Sequence, residues 1–231
     1  MIASVASLMD SQDSECRFNT ILIISMLSDV PAGREAILKD GNFAAKITQT
    51  DVFHRSNVIP LVAVLFANLT AIPKGQQFVI DRPQIVLSLV ELLGSINPTT
   101  VRHCLIAINN ISKLASSATL LTDCIQRASD PPSNLAALSQ EIKVEFLRKM
   151  HGISSLELGQ RLMGTRSEIV QLLVDELSSK EAPILYLCSG ILGQFFFSLF
   201  FFLFSFFFFL RDLLPLSSES DLNRGMCSIA D

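Results

Sequence analysis

The feature that most constrains the fold is an echo between two stretches of the chain. Residues 27–38 read LSDVPAGREAIL and residues 69–80 read LTAIPKGQQFVI. We call the separation of Leu27 from Leu69 the repeat spacing. A fixed period of about 40 residues in a helical sequence is typical of a solenoid, in which each unit buries its apolar face only against its neighbours. The echo predicts a repeat array that serves as a binding surface and has no catalytic role. The identical pairs are Leu27 and Leu69, Pro31 and Pro73, and Gly33 and Gly75.

Apolar spacing and helix-breaking residues define the units. Apolar residues at three- and four-residue intervals predict long helices over 18–27, 57–69 and 100–114. The motifs PAG at 31–33 and PKG at 73–75 end the first two of these helices, and a short helix follows each motif. Ile111 lies one further repeat spacing beyond Leu69. Three units are therefore in phase.

The pattern is interrupted and then resumes. Residues 127–134, RASDPPSN, predict a polar loop. The mixed, charged helix predicted over 135–150 is an insertion or an atypical unit. Residues 169–179 match residues 85–95 at six of eleven positions, at twice the repeat spacing. We expect the next helix, 181–192, to follow a turn about four residues shorter than its counterparts. The predicted division is repeats over 1–126, a loop and insertion helix over 127–150, and a further repeat over 151–194.

These units resemble armadillo repeats, and their degenerate motifs shade into HEAT repeats. The matching third-helix ends are FANLT at 66–70 and INNIS at 108–112, and the matching second-helix ends are VELLGS at 90–95 and VDELSS at 174–179. The resemblance covers about residues 10–126 and 165–193. It implies an all-α, right-handed α-solenoid of about 3–4 armadillo-like repeats, followed by a Phe-rich apolar helix.

In the armadillo family the third helices line a concave groove, and the Asn of the Asn-Leu pair can bind the backbone of an extended peptide. A side-chain amide suits this role because it offers a donor and an acceptor together. The resemblance therefore implies that Asn68 and Asn110 bind a protein or extended-peptide partner, with Met26 and Gly190 at the equivalent positions of other units. The alternative is that these amides only bond neighbouring backbone of their own chain.

One difference from a known groove and one further resemblance bear on the partner. Importin-alpha-type grooves carry a Trp one turn before each ladder Asn, whereas this chain has no Trp and holds Val64 and Ile106 there. Recognition of nuclear-localisation signals of that kind is therefore disfavoured. Helix order and the Asn-Leu-Thr context are also similar to those of small armadillo-like chaperone adaptors that assist folding of translation elongation factor 2. That similarity implies a cytosolic chaperone-adaptor role as a further alternative.

Composition and motifs argue against other classes of function. The net charge is −4 and no run of Lys or Arg exceeds two, so nucleic acid is a poor partner. The five cysteines are unpaired by spacing, and no nucleotide, GxSxG, HExxH or EF-hand motif is present. The adjacent pair His103 and Cys104 is not a nucleophile–base arrangement. We therefore predict no enzyme activity, cofactor, metal site or small-molecule substrate.

The N-terminal sequence MIASVASLMD has no basic region and no long apolar region, which argues against a secretory signal. It resembles entry into the middle of a repeat, so we expect a truncated gene model. A cytoplasmic location follows from these observations.

Residues 182–210 carry no charge, and this stretch is long enough to span a bilayer because about 20 apolar residues suffice. One interpretation is a single-pass, tail-anchored adaptor with a cytosolic repeat domain, a membrane-spanning run over 195–210 that includes Phe195, Phe202 and Phe209, and a polar disordered tail over 211–231. The other interpretation is a translated intron. Residues 195–210 contain only Phe, Leu and Ser, which all have codons made purely of pyrimidines, so a mis-spliced transcript would produce this run.

Overall fold

The computed structural model describes residues 2–49, 57–132 and 139–213, and it describes side chains for 2–47, 57–132 and 139–197. Within these ranges the chain forms α-helices, three short 3-10 helices and no strand. The helices are α1 (Ile2–Ser7), α2 (Ser14–Ser28), α3 (Pro31–Lys39), α4 (Gly41–Gln49), α5 (Ile59–Leu69), α6 (Pro73–Ile80), α7 (Pro83–Glu91), α8 (Pro98–Ile111), α9 (Ala118–Ser129), α10 (Gln140–Ser154), α11 (Glu157–Gly164), α12 (Ser167–Glu176) and α13 (Ala182–Leu213). The 3-10 helices are Leu8–Asp10, Leu92–Gly94 and Ala115–Ser117.

Local sequence explains where these helices begin. Pro31, Pro73, Pro83 and Pro98 each occupy the first position of a helix, where a missing N–H costs nothing. Asn97 caps α8, since its side chain accepts hydrogen bonds from the backbone N–H groups of the second and third helical residues at 2.9 and 3.4 Å. Short helices with defined starts suit a repeat array because each must turn within a few residues.

The helices are arranged as three-helix units, each with two shorter helices before a longer third helix. The third helices α2, α5 and α8 lie side by side, with α5 packed between its two neighbours. Buried apolar residues from every unit join one continuous core within the described residues. The predicted all-α solenoid is confirmed. Its described units are α3–α5, α6–α8, the 3-10 helix Ala115–Ser117 with α9 and α10, and α11–α13, preceded by α1 and α2.

The sequence echo has a steric origin at one glycine per unit. A Cβ atom on Gly33, Gly75 or Gly159 would lie 1.9, 1.8 or 2.1 Å from the last-turn carbonyl oxygen of the preceding third helix. Only glycine allows the first helix to approach the third helix so closely. The carbonyl oxygens that these Cβ atoms would meet belong to Leu27, Leu69 and Ile153, respectively.

The residue after each of these glycines closes the same corner with a hydrogen bond. Arg34 donates to the carbonyl oxygen of Ser28 at 2.9 Å, and Gln76 donates to that of Thr70 at 3.0 Å. Gln160 donates to that of Ser154 at 2.8 Å. These carbonyls end a helix and have no intrahelical partner, so the long side chain supplies the missing donor.

One unit departs from this pattern. Ser117 lies one repeat spacing after Gly75 and one before Gly159, and its Cβ excludes the close approach. The first helix is reduced there to the 3-10 helix Ala115–Ser117, and α9 begins at the next residue. Ser117 Oγ donates to the carbonyl oxygen of Leu114 at 2.7 Å. The loss of one glycine thus accompanies the loss of one short helix.

Helix α10, at the position of the predicted insertion helix, packs into the shared core. Helix α9 continues through Ser129, and α10 buries Phe146, Leu147 and Met150 in the shared core. Helix α10 packs mainly against α13 and the 3-10 helix Leu92–Gly94, while α8 and α10 make at most marginal contact among the described residues. The row of third helices is therefore broken between α8 and α10. The division of the chain at 127–150 stays a prediction.

Helix α13 extends from the last unit into the Phe-rich run. No single helix with described side chains is long and apolar enough to cross a membrane, although the bent pair Pro98–Ile111 and Ala115–Ser129, at 115°, meets the length and composition criteria together. Phe195 is half-buried in α13. The side chains of Phe202 and Phe209 lie outside the described residues, as does the predicted tail beyond residue 213.

Candidate binding groove

The row formed by α2, α5 and α8 presents matched side chains at the repeat spacing. The first set of equivalent residues is Leu22 in α2, Val64 in α5 and Ile106 in α8; the first two are half-buried and Ile106 is exposed. The second set lies one helical turn later and consists of Met26, Asn68 and Asn110. Met26 is exposed, and both asparagines are half-buried. We call this surface the third-helix groove. It consists of Leu22, Met26, Val64, Asn68, Ile106 and Asn110.

Asn68 lies at the end of α5 and reaches back to the end of α2. Its Nδ2 donates to Ser28 Oγ at 3.0 Å and to Asp29 Oδ1 at 2.6 Å. The bond to Asp29 is charge-assisted, and such bonds are stronger than neutral ones. The side-chain oxygen of Asn68 has no hydrogen-bond partner among the described residues. The bonds of Nδ2 therefore fix the side chain of Asn68.

Asn110 repeats this arrangement one unit later. Its Nδ2 donates to Thr70 Oγ1 at 3.3 Å, and its side-chain oxygen accepts a bond from Lys113 Nζ at 3.4 Å. The Thr70 hydroxyl in turn donates to the carbonyl oxygen of Phe66 at 2.7 Å. Both asparagines therefore bond side chains of the preceding unit. Their role toward a peptide stays a prediction.

The equivalent residue in α13 is Gln194, and the sequence-based assignment of Gly190 is wrong. The Gln194 side-chain oxygen accepts a bond from the Ser154 hydroxyl, and its Nε2 donates to Ser155 Oγ at 3.3 Å. These partners lie 40 and 39 residues earlier, as for Asn68. Gly190 instead packs on His151, where an added Cβ would lie 2.9 Å from the ring.

A strict count at the repeat spacing would have found Gln194. The error arose from the assumed shorter turn before α13, whereas α13 begins at Ala182, two full repeat spacings after Pro98. The same count places Gly152 at the equivalent position of α10. Because glycine has no side chain, the row of amides is interrupted in the unit where α8 and α10 separate.

The local chemistry of His103 and Cys104 differs from that of a catalytic pair. His103 Nδ1 bonds the carbonyl oxygen of Thr99 at 2.7 Å, within its own helix. The Cys104 thiol is fully buried, and burial raises its pKa to about 12. It is therefore protonated at neutral pH, and the thiol form is a poor nucleophile. Within the described residues no group of three His, Cys, Asp or Glu side chains is placed to hold a metal ion.

Comparison with known proteins gives structural matches alone. No family model and no curated protein matches the chain. Computationally designed armadillo repeat proteins for modular peptide recognition match at a TM-score of 0.51 and 15% identity, covering 84% of this chain and 82% of theirs. An engineered protein matches at 0.50 and 19% identity, covering 84% and 78%. A second engineered protein matches at 0.51 and 14% identity, covering 84% and 80%. The chain therefore has the armadillo-type fold of a helical repeat protein.

Proposed function

We propose that this chain is a non-catalytic protein-binding scaffold of the cytoplasm that takes an extended peptide along the third-helix groove. The observation that carries the proposal is the pair of anchored asparagines beside a row of aliphatic side chains, which recurs at the repeat spacing across α5 and α8. Ser28 and Asp29 hold the Asn68 Nδ2 group, and the proposal assigns the side-chain oxygen of Asn68 to a peptide N–H group. The designed armadillo repeat proteins built for peptide recognition support a peptide partner in general terms.

The aliphatic row bears on the class of peptide. Leu22, Val64 and Ile106 offer apolar contacts and no aromatic face for a cation. Burying apolar surface is favourable by about 25 cal/mol per Å², whereas burying an unpaired lysine costs far more than it returns. We therefore propose a peptide with aliphatic side chains along one edge, bound without a cofactor or small-molecule substrate.

The test uses the full chain and a random-sequence peptide library displayed on phage. A selected peptide is then titrated by fluorescence anisotropy against the unaltered chain and against Asn68→Ala and Asn110→Ala. Each variant should weaken binding about tenfold, which is the worth of roughly one hydrogen bond. Circular dichroism checks that each variant is folded.

Asn109→Ala is the matched control, because Asn109 is exposed on the same helix, next to Asn110. It should leave the affinity unchanged. Affinity that is indifferent to both groove variants, or that falls equally for Asn109→Ala, would rule out the groove assignment.

The tail-anchored adaptor is the second candidate, and one observation favours it. The backbone of α13 is helical over Ala182–Leu213, 32 residues, without a break in the Phe-rich run. A membrane location would add an anchor to the same scaffold. If the anchor is real, the full chain pellets with membranes after carbonate extraction, and Phe202→Arg with Phe209→Arg releases it. Quantitative extraction of the unaltered chain would exclude an anchor.

A further inference from the structure

The two ends of the third-helix groove carry opposite charges. At the α2 end, Glu15 and Asp29 are both exposed. They lie on the same side of α2 as Leu22 and Met26, because residues three, four or seven positions apart share one face of a helix. This end of the groove therefore presents two carboxylates.

At the α8 end the sign of the charge is reversed. Lys113 lies two repeat spacings after Asp29, and its side chain is exposed. Arg102 is also exposed, and it lies one helical turn before Ile106 on the same face of α8. This end of the groove therefore presents two cations.

Hydrogen bonds place two of these charges directly beside the groove asparagines. Asp29 Oδ1 accepts a bond from Asn68 Nδ2 at 2.6 Å. Lys113 Nζ donates to the side-chain oxygen of Asn110 at 3.4 Å. Each amide thus has a charged neighbour, and the sign of that neighbour changes from one unit to the next.

The middle of the groove is uncharged. Helix α5 contains no charged residue, and α8 contains no Asp or Glu. Among the described residues, Glu15, Arg102 and Lys113 have no ion-pair partner. Exposed charges of this kind attract and orient a partner that carries the opposite charge.

We propose that the peptide taken by this groove is itself polarised, with an acidic residue over α8, aliphatic residues over α5 and a basic residue over α2. This inference rests on the proposed function, since it concerns the same groove. Packed helices lie about 8–10 Å apart, and an extended chain advances about 3.3 Å per residue. About three peptide residues therefore cover one unit, and about six separate the acidic residue from the basic one.

The test starts from peptides selected on the full chain from the phage-displayed library. The selected sequences should carry Asp or Glu about six positions from Lys or Arg, with aliphatic residues between them. One such peptide is compared by fluorescence anisotropy with a counterpart in which its acidic and basic residues are exchanged. The counterpart should bind the unaltered chain about tenfold more weakly, because two exposed ion pairs become repulsive contacts. The difference should shrink in about 1 M salt, which screens exposed charges.

A charge swap in the groove tests the same pairing from the side of the chain. Glu15→Lys with Arg102→Glu keeps the net charge and should reverse the preference, so that the counterpart binds better than the selected peptide. Arg127→Glu with Glu157→Lys is the matched control, since both residues are exposed and lie outside the third helices, on α9 and α11. The control should leave the preference unchanged. Circular dichroism checks that both double variants are folded.

The outcomes separate this inference from the proposed function. Binding that Asn68→Ala weakens, but that is indifferent to the exchange of the peptide charges, would overturn this inference alone. A peptide preference that survives the groove swap would do the same. Failure to select any peptide, or binding that is indifferent to both Asn68→Ala and Asn110→Ala, would overturn the proposed function and this inference with it.

Discussion

Gln194 accepts a hydrogen bond from the hydroxyl of Ser154, which lies 40 residues earlier in the chain. The same spacing separates Asn68 from Ser28 and Asn110 from Thr70. In each case an amide at the equivalent position of one third helix bonds a hydroxyl at the end of the third helix before it. The repeat is thus encoded in polar contacts between units as well as in the apolar core.

Replacing Gly75 by alanine should strongly destabilise the fold. The added Cβ would lie 1.8 Å from the Leu69 carbonyl oxygen, which is backbone and cannot rotate away. We expect a loss of about 3 kcal/mol in the free energy of unfolding, at the upper end for overpacking. Urea denaturation followed by circular dichroism measures this loss. Gly41→Ala is the control, since a Cβ there meets nothing within 4 Å and should stabilise by about 0.5 kcal/mol. Equal stabilities for the two variants would contradict the steric explanation.

The effects of Lys143 and Glu176 on the free energy of unfolding should be coupled, because the two side chains form an ion pair. The Nζ and Oε1 atoms lie 3.0 Å apart, and the side chains are only 13% and 15% exposed. Lys143→Met leaves a nearly buried carboxylate without its partner and should cost about 2 kcal/mol. The double variant Lys143→Met with Glu176→Leu should recover most of this loss. A double-mutant cycle by urea denaturation measures the coupling, and strictly additive losses would show that the two residues act independently.

Acidification should destabilise the fold through His151. Burial lowers the pKa of His151 from its ordinary value of 6.5, and its ring lies beside Tyr186 with centroids 6.4 Å apart. As pH falls below 6.5, His151 takes up a proton more readily in the unfolded chain than in the folded chain. The free energy of unfolding therefore falls in this range, and the stabilising contribution of neutral His151 is fully present above pH 6.5. Thermal denaturation across this range should show a smaller pH dependence in His151→Gln than in His103→Gln. The same slope in both variants would exclude His151 as the cause.

Cys104 should be inert in the folded chain. The thiol is fully buried and its pKa is raised to about 12, whereas Cys16 is half-buried. Pulse labelling with an aromatic disulfide reagent, followed by peptide mass spectrometry, should modify Cys16 first and Cys104 only after unfolding. Labelling of Cys104 as fast as that of Cys16 would show that the helix opens readily.

The repeat and its helix order could be predicted because glycine, proline and apolar spacing act locally. Each repeated glycine marks the close approach of a first helix to the preceding third helix, and each proline marks the start of a helix. Both signals can therefore be read directly from the sequence. The register of α13 was predicted wrongly by about one helical turn. The shorter turn assumed before α13 caused this error, and the unbroken repeat spacing would have placed Gln194 correctly. The hydrogen bond that Ser154 donates to Gln194 agrees with that register.

The charged residues of α10 show a second limit of sequence patterns. They argue against a packed helix when they are considered singly. In the structure two of them are paired across units, Lys143 with Glu176 at 3.0 Å and Lys149 with Glu91 at 2.8 Å. A charged side chain can line a packed helix when its partner comes from another unit, and a partner 33 or 58 residues distant leaves no periodic signal.

The break in the row of third helices has a mechanical meaning. Where α8 and α10 separate, α10 packs instead on the 3-10 helix Leu92–Gly94, and α9 packs on α7. Gly152 comes closest there, since an added Cβ would lie 2.5 Å from the Leu93 carbonyl oxygen. At this boundary a third helix meets a single turn of 3-10 helix and not another third helix. We therefore expect a change in the direction of the solenoid to be accommodated here.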